Sequence, residues 1–143
     1  MTKLQTLCLQ LNQLTELPSE IGLLSLLEEL DVNDNTLLEL PSEIGNLSSL
    51  RYLYISGNDL TELPPQVGQL TTLEELDLSE NKLTELPSEI GQLISLKELY
   101  ILKNKLHELP TVFSQLTSLR ALDLSGNKLA GHPFEITDRL IHI

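Results

Sequence analysis

The stretch Leu73 to Gly91, LEELDLSENKLTELPSEIG, decides the fold. Leu73, Leu76, Leu78, Asn81 and Leu83 follow the spacing L-x-x-L-x-L-x-x-N-x-L, and Leu86-Pro87 with Ile90-Gly91 closes the unit. Outward in both directions the same pattern returns at a constant step of 23 residues, marked by Asn12, Asn35, Asn58, Asn81, Asn104 and Asn127. Its apolar positions are Leu4, Leu7, Leu9, Leu14; Leu27, Leu30, Val32, Leu37; Leu50, Leu53, Ile55, Leu60; Leu96, Leu99, Ile101, Leu106; and Leu119, Leu122, Leu124, Leu129. The L-P-x-x-I-G half also recurs, at Leu17-Pro18 with Ile21-Gly22, Leu40-Pro41 with Ile44-Gly45, and Leu63-Pro64 with Val67-Gly68. Self-similarity at this period is the mark of a solenoid. The chain reads as one domain, 1–143, of six repeats: about 4–26, 27–49, 50–72, 73–95, 96–118 and an atypical 119–143.

Each half of the unit has a physical reading. The L-x-L centre alternates with period two, as a half-buried strand does. Proline then stops strand pairing, because it has no N–H to donate. Ser-Glu-Ile-Gly is too short for an independent helix. It suits a single helical turn, with Ser19, Ser42 or Ser88 placed to cap it and Gly to end it. One strand plus one return segment makes a coil that cannot bury its leucines alone, whereas stacked coils share a continuous core. Six strands about 4.8 Å apart give a parallel sheet roughly 25 Å wide. The fold class expected is therefore α/β: a short right-handed arc with a six-strand parallel sheet on the concave face and short helical turns or loops on the convex face. The repeated Asn reads as structural. Its amide points inward where the chain leaves the strand and satisfies backbone groups that would otherwise be buried unpaired.

Composition excludes several classes. Leucine fills 37 of 143 positions, and apolar residues make up 41%, which argues against disorder. No stretch approaches 18 apolar residues without charges, so no transmembrane helix is expected. The single Cys8 rules out an internal disulfide. A net charge of -12 disfavours duplex nucleic acid as a partner. The N-terminus lacks the charged segment and apolar run of a signal peptide, so an intracellular, cytoplasmic location is the expectation.

The sequence resembles the leucine-rich-repeat family along essentially its whole length. The 23-residue L-P-x-x-I-G version looks like the intracellular class that includes Ras-binding repeat scaffolds, polarity scaffolds and the repeat domains of Roco-type GTPases. That resemblance implies a protein-binding module whose partner is a small GTPase or another signalling protein. It equally implies a recognition or regulatory segment of a larger signalling protein. A structural or engineered array without a dedicated partner is a third reading, since T-E-L-P-S-E-I-G recurs at 15–22 and 84–91.

Outward-pointing strand positions form columns across the sheet. One runs Thr6, Glu29, Tyr52, Glu75, Glu98, Ala121; the next Cys8, Asp31, Tyr54, Asp77, Tyr100, Asp123; the third Gln10, Asn33, Ser56, Ser79, Leu102, Ser125. All three tyrosines of the protein fall here. Tyr combines large contact area with few rotatable bonds and a polar tip, which suits an interface. The candidate partner-binding residues are Glu29, Asp31, Tyr52, Tyr54, Glu75, Asp77, Glu98, Tyr100, Leu102 and Asp123, facing a basic, partly apolar partner. Residues 4–81 hold only Arg51 against fourteen carboxylates, so a cationic partner should approach this part first.

No catalytic, cofactor-binding or metal-binding residue is expected. His107, His132 and His142 fall without ligand spacing, and no phosphate loop or dinucleotide turn is present. Nothing in its own unit supplies Cys8 with a general base. Asp31 and Asp77 lie two strands apart with Tyr54 between, which fits glycoside hydrolysis poorly. Two ends remain. Phe113-Ser114 replaces Ile-Gly in unit five, and His132, Phe134, Thr137 and Arg139 break unit six, so Ile136 to Ile143 reads as a partial cap. Only three residues precede Leu4, which would leave an open strand edge. That edge suggests a larger parent or self-association through the solenoid end.

Overall fold

The computed structural model describes residues 3–130. Six strands lie in chain order in one parallel sheet: β1 (Thr6–Cys8), β2 (Glu29–Asp31), β3 (Tyr52–Tyr54), β4 (Glu75–Asp77), β5 (Glu98–Tyr100) and β6 (Ala121–Asp123). Each is three residues long because the repeat spares only the x-L-x centre for pairing. Register advances by one repeat per strand, Leu7↔Leu30, Leu30↔Leu53, Leu53↔Leu76, Leu76↔Leu99 and Leu99↔Leu122. Backbone bonding continues past the strands: Asp34 N donates to Ser56 O at 2.8 Å, Glu80 N to Leu102 O at 2.8 Å and Lys103 N to Ser125 O at 2.8 Å.

Among the described residues the opposite wall is a row of five 3-10 turns, Ser19–Leu23, Ser42–Asn46, Pro65–Gln69, Ser88–Gln92 and Thr111–Gln115, each stacked on the next. Their termini differ from the sequence expectation. Proline, not serine, is the N-cap: the carbonyl of Pro18 accepts the N–H of Ile21, and Pro41, Pro64, Pro87 and Pro110 repeat the bond, each at 3.0 Å. Ser42 and Ser88 instead turn their hydroxyls to the carboxylates of Glu43 and Glu89 at 3.3 Å. Glycine does not end the turn either. It lies inside, and the C-cap is the following leucine, whose N–H returns to the Ile or Val carbonyl. The glycine is there for closeness: a Cβ on Gly68 would lie 2.5 Å from the Glu89 carbonyl oxygen of the next coil. Glycine thus lets adjacent turns touch backbone to backbone.

Between the walls runs one leucine core. Leu27, Leu30, Val32 and Leu37 are fully buried, as are their counterparts through Ile101 and Leu106. Phe113 takes the Ile position of its turn and is buried at 2%, so the departure in unit five preserves the core. Full burial of each Leu or Ile contributes about 1.5–3 kcal/mol relative to exposure. In the first coil, Leu4, Leu7, Leu9 and Leu14 are only half-buried, because the described residues place a neighbour on one side of β1 alone. The breaks at His132, Phe134, Thr137 and Arg139, and the cap read at Ile136 to Ile143, lie outside the described residues.

The asparagine ladder is as expected from Asn35 to Asn127, whereas the Asn12 side chain is exposed and bonds only its own coil. The Oδ1 of Asn58 accepts Leu37 N at 3.0 Å, while its Nδ2 donates to Ile55 O at 3.2 Å in its own coil and Val32 O at 3.0 Å in the preceding one. Asn35, Asn81 and Asn127 repeat the set. Each amide therefore clamps two coils. One feature escaped the sequence reading: the residue before each Asn is left-handed, at Leu11, Asp34, Gly57, Glu80, Lys103 and Gly126. Gly57 and Gly126 were the sequence signal for it.

Candidate functional site on the sheet face

Strand register builds the columns. It pairs Glu29, Tyr52, Glu75, Glu98 and Ala121 in one row, and Asp31, Tyr54, Asp77, Tyr100 and Asp123 in the next. Intervening Leu30, Leu53, Leu76 and Leu99 point into the core, so alternation turns both rows outward, and every member is half-buried. Leu102 lies beyond its strand. It is half-buried, and its carbonyl accepts both Glu80 N–H and the Asn104 amide, so it belongs to the turn as much as to the face.

The alternation of Asp and Tyr has a local cause. Asp31, Asp77 and Asp123 each accept, through Oδ1, the backbone N–H two residues on: Asn33 at 3.0 Å, Ser79 at 2.9 Å and Ser125 at 3.0 Å. Tyrosine cannot do this. In the two tyrosine coils the equivalent N–H turns to a side chain of the preceding coil, Ser56 N to Asn33 Oδ1 and Leu102 N to Ser79 Oγ at 3.2 Å. The third column, read from sequence as outward surface, thus carries structural acceptors, and Ser79 is buried at 7%.

The tyrosines are tethered. Tyr54 donates its hydroxyl to Glu75 Oε2 at 3.1 Å, and Tyr100 to Glu98 Oε2 at 3.0 Å. Burial, reinforced by these carboxylates, pushes the Tyr100 hydroxyl up to about 12 and the Tyr54 hydroxyl well above its ordinary value. The Arg51 guanidinium stands 5.2 Å from the centre of the Tyr52 ring, a cation–π contact.

Charge is distributed unevenly. Beside the columns, Glu74 takes Arg51 at 3.1 Å and Lys97 at 3.4 Å, and Lys82 pairs with Asp59 at 3.0 Å. Burial raises Glu74, but the Arg51 hydrogen bond and the charges of Arg51 and Lys97 outweigh it and hold the carboxyl below its usual range. Among the described residues no Lys or Arg pairs with Glu29, Asp31, Glu75, Asp77, Glu98 or Asp123. Glu75 shows the consequence: burial raises its carboxyl, and Glu98, Asp77 and Glu29 push the same way against the Tyr54 hydrogen bond. The face is an aromatic, anionic strip whose carboxylates have no Lys or Arg partner among the described residues. Cys8 extends it at the β1 end as an exposed free thiol.

Comparison with known proteins agrees with this architecture. A family model described as a leucine-rich repeat region matches residues 42–131, and a second leucine-rich-repeat model matches residues 2–60. Among curated proteins none matches. Among solved structures, a leucine-rich-repeat protein of Leptospira interrogans is similar over 98% of this chain and 36% of its own, with 41% identity and a TM-score of 0.92. The ectodomain of the Arabidopsis thaliana receptor kinase GASSHO1/SCHENGEN3, in complex with CASPARIAN STRIP INTEGRITY FACTOR 2, matches over 96% of this chain and 17% of its own, with 39% identity and a TM-score of 0.86. A TDR receptor matches over 88% and 23%, with 35% identity and a TM-score of 0.81. The chain spans little more than a third of the length of these structures at most. Repeat, ladder, sheet and family models converge, and the chain belongs to the leucine-rich-repeat family.

Proposed function

We propose that this chain is a protein-binding module that grips a basic partner segment on its sheet face. The observation that carries the reading is the set of six carboxylates, Glu29, Asp31, Glu75, Asp77, Glu98 and Asp123, without a cationic partner among the described residues. Held around Tyr54 and Tyr100, they supply complementary charge and rigid contact area to a cationic, partly apolar segment. A small GTPase or other signalling protein is the partner class that the L-P-x-x-I-G resemblance suggests, and a cytoplasmic location goes with it. The unpaired Cys8 is consistent with a reducing compartment. Acid–base or nucleophilic catalysis is not part of the proposal.

Immobilised chain should retain arginine- and lysine-rich peptides from an array at low salt and release them at high salt. A Tyr54→Ala, Tyr100→Ala double variant should lose that retention. Equal retention of acidic peptides, or unchanged binding by the double variant, would defeat the reading.

A second reading is favoured by the partial coverage of the similar structures, 36%, 23% and 17% of their lengths. In it the chain is the recognition segment of a larger protein, such as a Roco-type GTPase or Ras-binding scaffold. Its half-buried Leu4, Leu7 and Leu9 would then seat another repeat, or another copy of the chain.

A further inference from the structure

The row Asp31, Tyr54, Asp77, Tyr100, Asp123 alternates carboxylate and ring from strand to strand. Its repeat is therefore two strands, about 9.6 Å at a spacing of about 4.8 Å, and the three carboxylates span about 19 Å. The row is pre-set at every member. Each Asp is anchored through Oδ1 to the backbone N–H of Asn33, Ser79 or Ser125. Among the described residues its other oxygen has no partner. Each ring is fixed through its hydroxyl to Glu75 or Glu98.

Few backbones can present cations at this interval on one edge. In an extended strand every third residue points to the opposite side, and every second one recurs at about 6.6 Å. An α-helix returns at the seventh residue after about 10.5 Å, so two such steps cover about 21 Å and drift by about 20° each. A polyproline-II helix has three residues per turn and rises about 3.1 Å per residue, so its edge repeats every 9.3 Å or so and two turns cover about 18.6 Å without drift. That length is close to the roughly 19 Å expected between the backbones of β2 and β6.

We propose that the sheet face binds a proline-rich segment in the polyproline-II conformation with Arg or Lys at every third residue, laid across the strands. Its cations rest on Asp31, Asp77 and Asp123. The two residues between successive cations straddle the rings of Tyr54 and Tyr100, as proline-rich segments do on aromatic-lined grooves. Such a segment is already ordered before binding, so a short one loses little conformational freedom on a small face. The proposal rests on the protein-binding reading and specifies the partner's chemistry and register.

Two synthetic peptides of identical composition test it. One carries four copies of Arg-Pro-Pro; the other holds the same residues with the arginines in adjacent pairs. The triplet peptide should bind the intact chain about fivefold or more tightly than the paired one at low salt. Asp77→Asn should abolish that preference without changing the thermal midpoint, since the amide keeps an Oδ1 acceptor for the Ser79 N–H. Equal affinity for both peptides, lost together in the Tyr54→Ala, Tyr100→Ala variant, would overturn the register and leave the acidic binding face standing. Tighter binding of the paired peptide, or no binding of either by folded chain, would overturn the proposal. In that case the basic-peptide array judges the binding face separately.

Discussion

The side-chain oxygen of Asn81 accepts the backbone N–H of Leu60, a residue of the preceding coil, at 3.1 Å, while its nitrogen donates to Ile55 O at 2.8 Å in that coil and to Leu78 O at 3.1 Å in its own. One amide thus satisfies three backbone groups that leucine side chains shield from water. Asn12 holds the same place in its repeat, but its side chain bonds Leu9 O and Gln10 O of its own coil, and it is exposed.

Asn81→Ala should therefore cost about 3–5 kcal/mol in urea unfolding, since each orphaned buried group costs about 1–3 kcal/mol. Asn12→Ala should cost about 1 kcal/mol or less, because water replaces the lost bonds. Equal losses at the two positions would contradict the coil-to-coil role of the inner amides.

Leu11 sits at φ 59 with 78% of its surface exposed, and Gly57 holds the same place two coils later at φ 70. A left-handed conformation costs a side chain about 1–2 kcal/mol. Leu11→Gly should raise stability by about 0.5–1 kcal/mol after allowance for the freer unfolded chain. Gly57→Ala should lower it by about 1–2 kcal/mol, because the new Cβ also presses on the Asp34 carboxylate. Thermal unfolding checks both signs.

Asp77 has two separable duties, charge on the face and a 2.9 Å bond to Ser79 N. Asp77→Ala should cost about 1 kcal/mol through the lost bond, whereas Asp77→Asn should leave stability near the parent value. A thermal midpoint that falls equally in both variants would show that the charge, not the acceptor, holds the turn.

Glu74 and Glu75 are adjacent and should respond oppositely to acid. Burial raises Glu74, but Arg51 and Lys97 together lower it below the ordinary 4.5. Its stabilising contribution is present above that value and is lost as pH falls through the lower folded value. Glu75 is raised above 4.5 by burial and then by Glu98, Asp77 and Glu29. Its contribution is complete below 4.5 and is lost as pH rises through the higher folded value. Denaturant unfolding at neutral pH should show Glu74→Gln less stable than the parent and Glu75→Gln slightly more stable, the latter by about 0.5 kcal/mol or less at so solvent-screened a position. Both differences should vanish well below pH 4.5.

Sequence alone determined the coil, the continuous leucine interior, the inward asparagines from Asn35 to Asn127 and the membership of the two strand columns on the sheet face. All four follow from two periods, 23 residues between coils and two within a strand, and periodicity is a property of the chain written in one dimension. Tertiary structure alone decided the rest. Gly68 reads as a turn terminator in sequence but is required because Glu89 of the next coil leaves no room for a Cβ. Ser88 reads as a cap, yet the Pro87 carbonyl takes that role. The bond from Leu102 N to Ser79, the tether from Tyr54 to Glu75 and the left-handed Leu11 depend on how closely one coil is laid on another and on backbone angles. Those are distances between residues remote in the chain, and they come into being only when the coils stack.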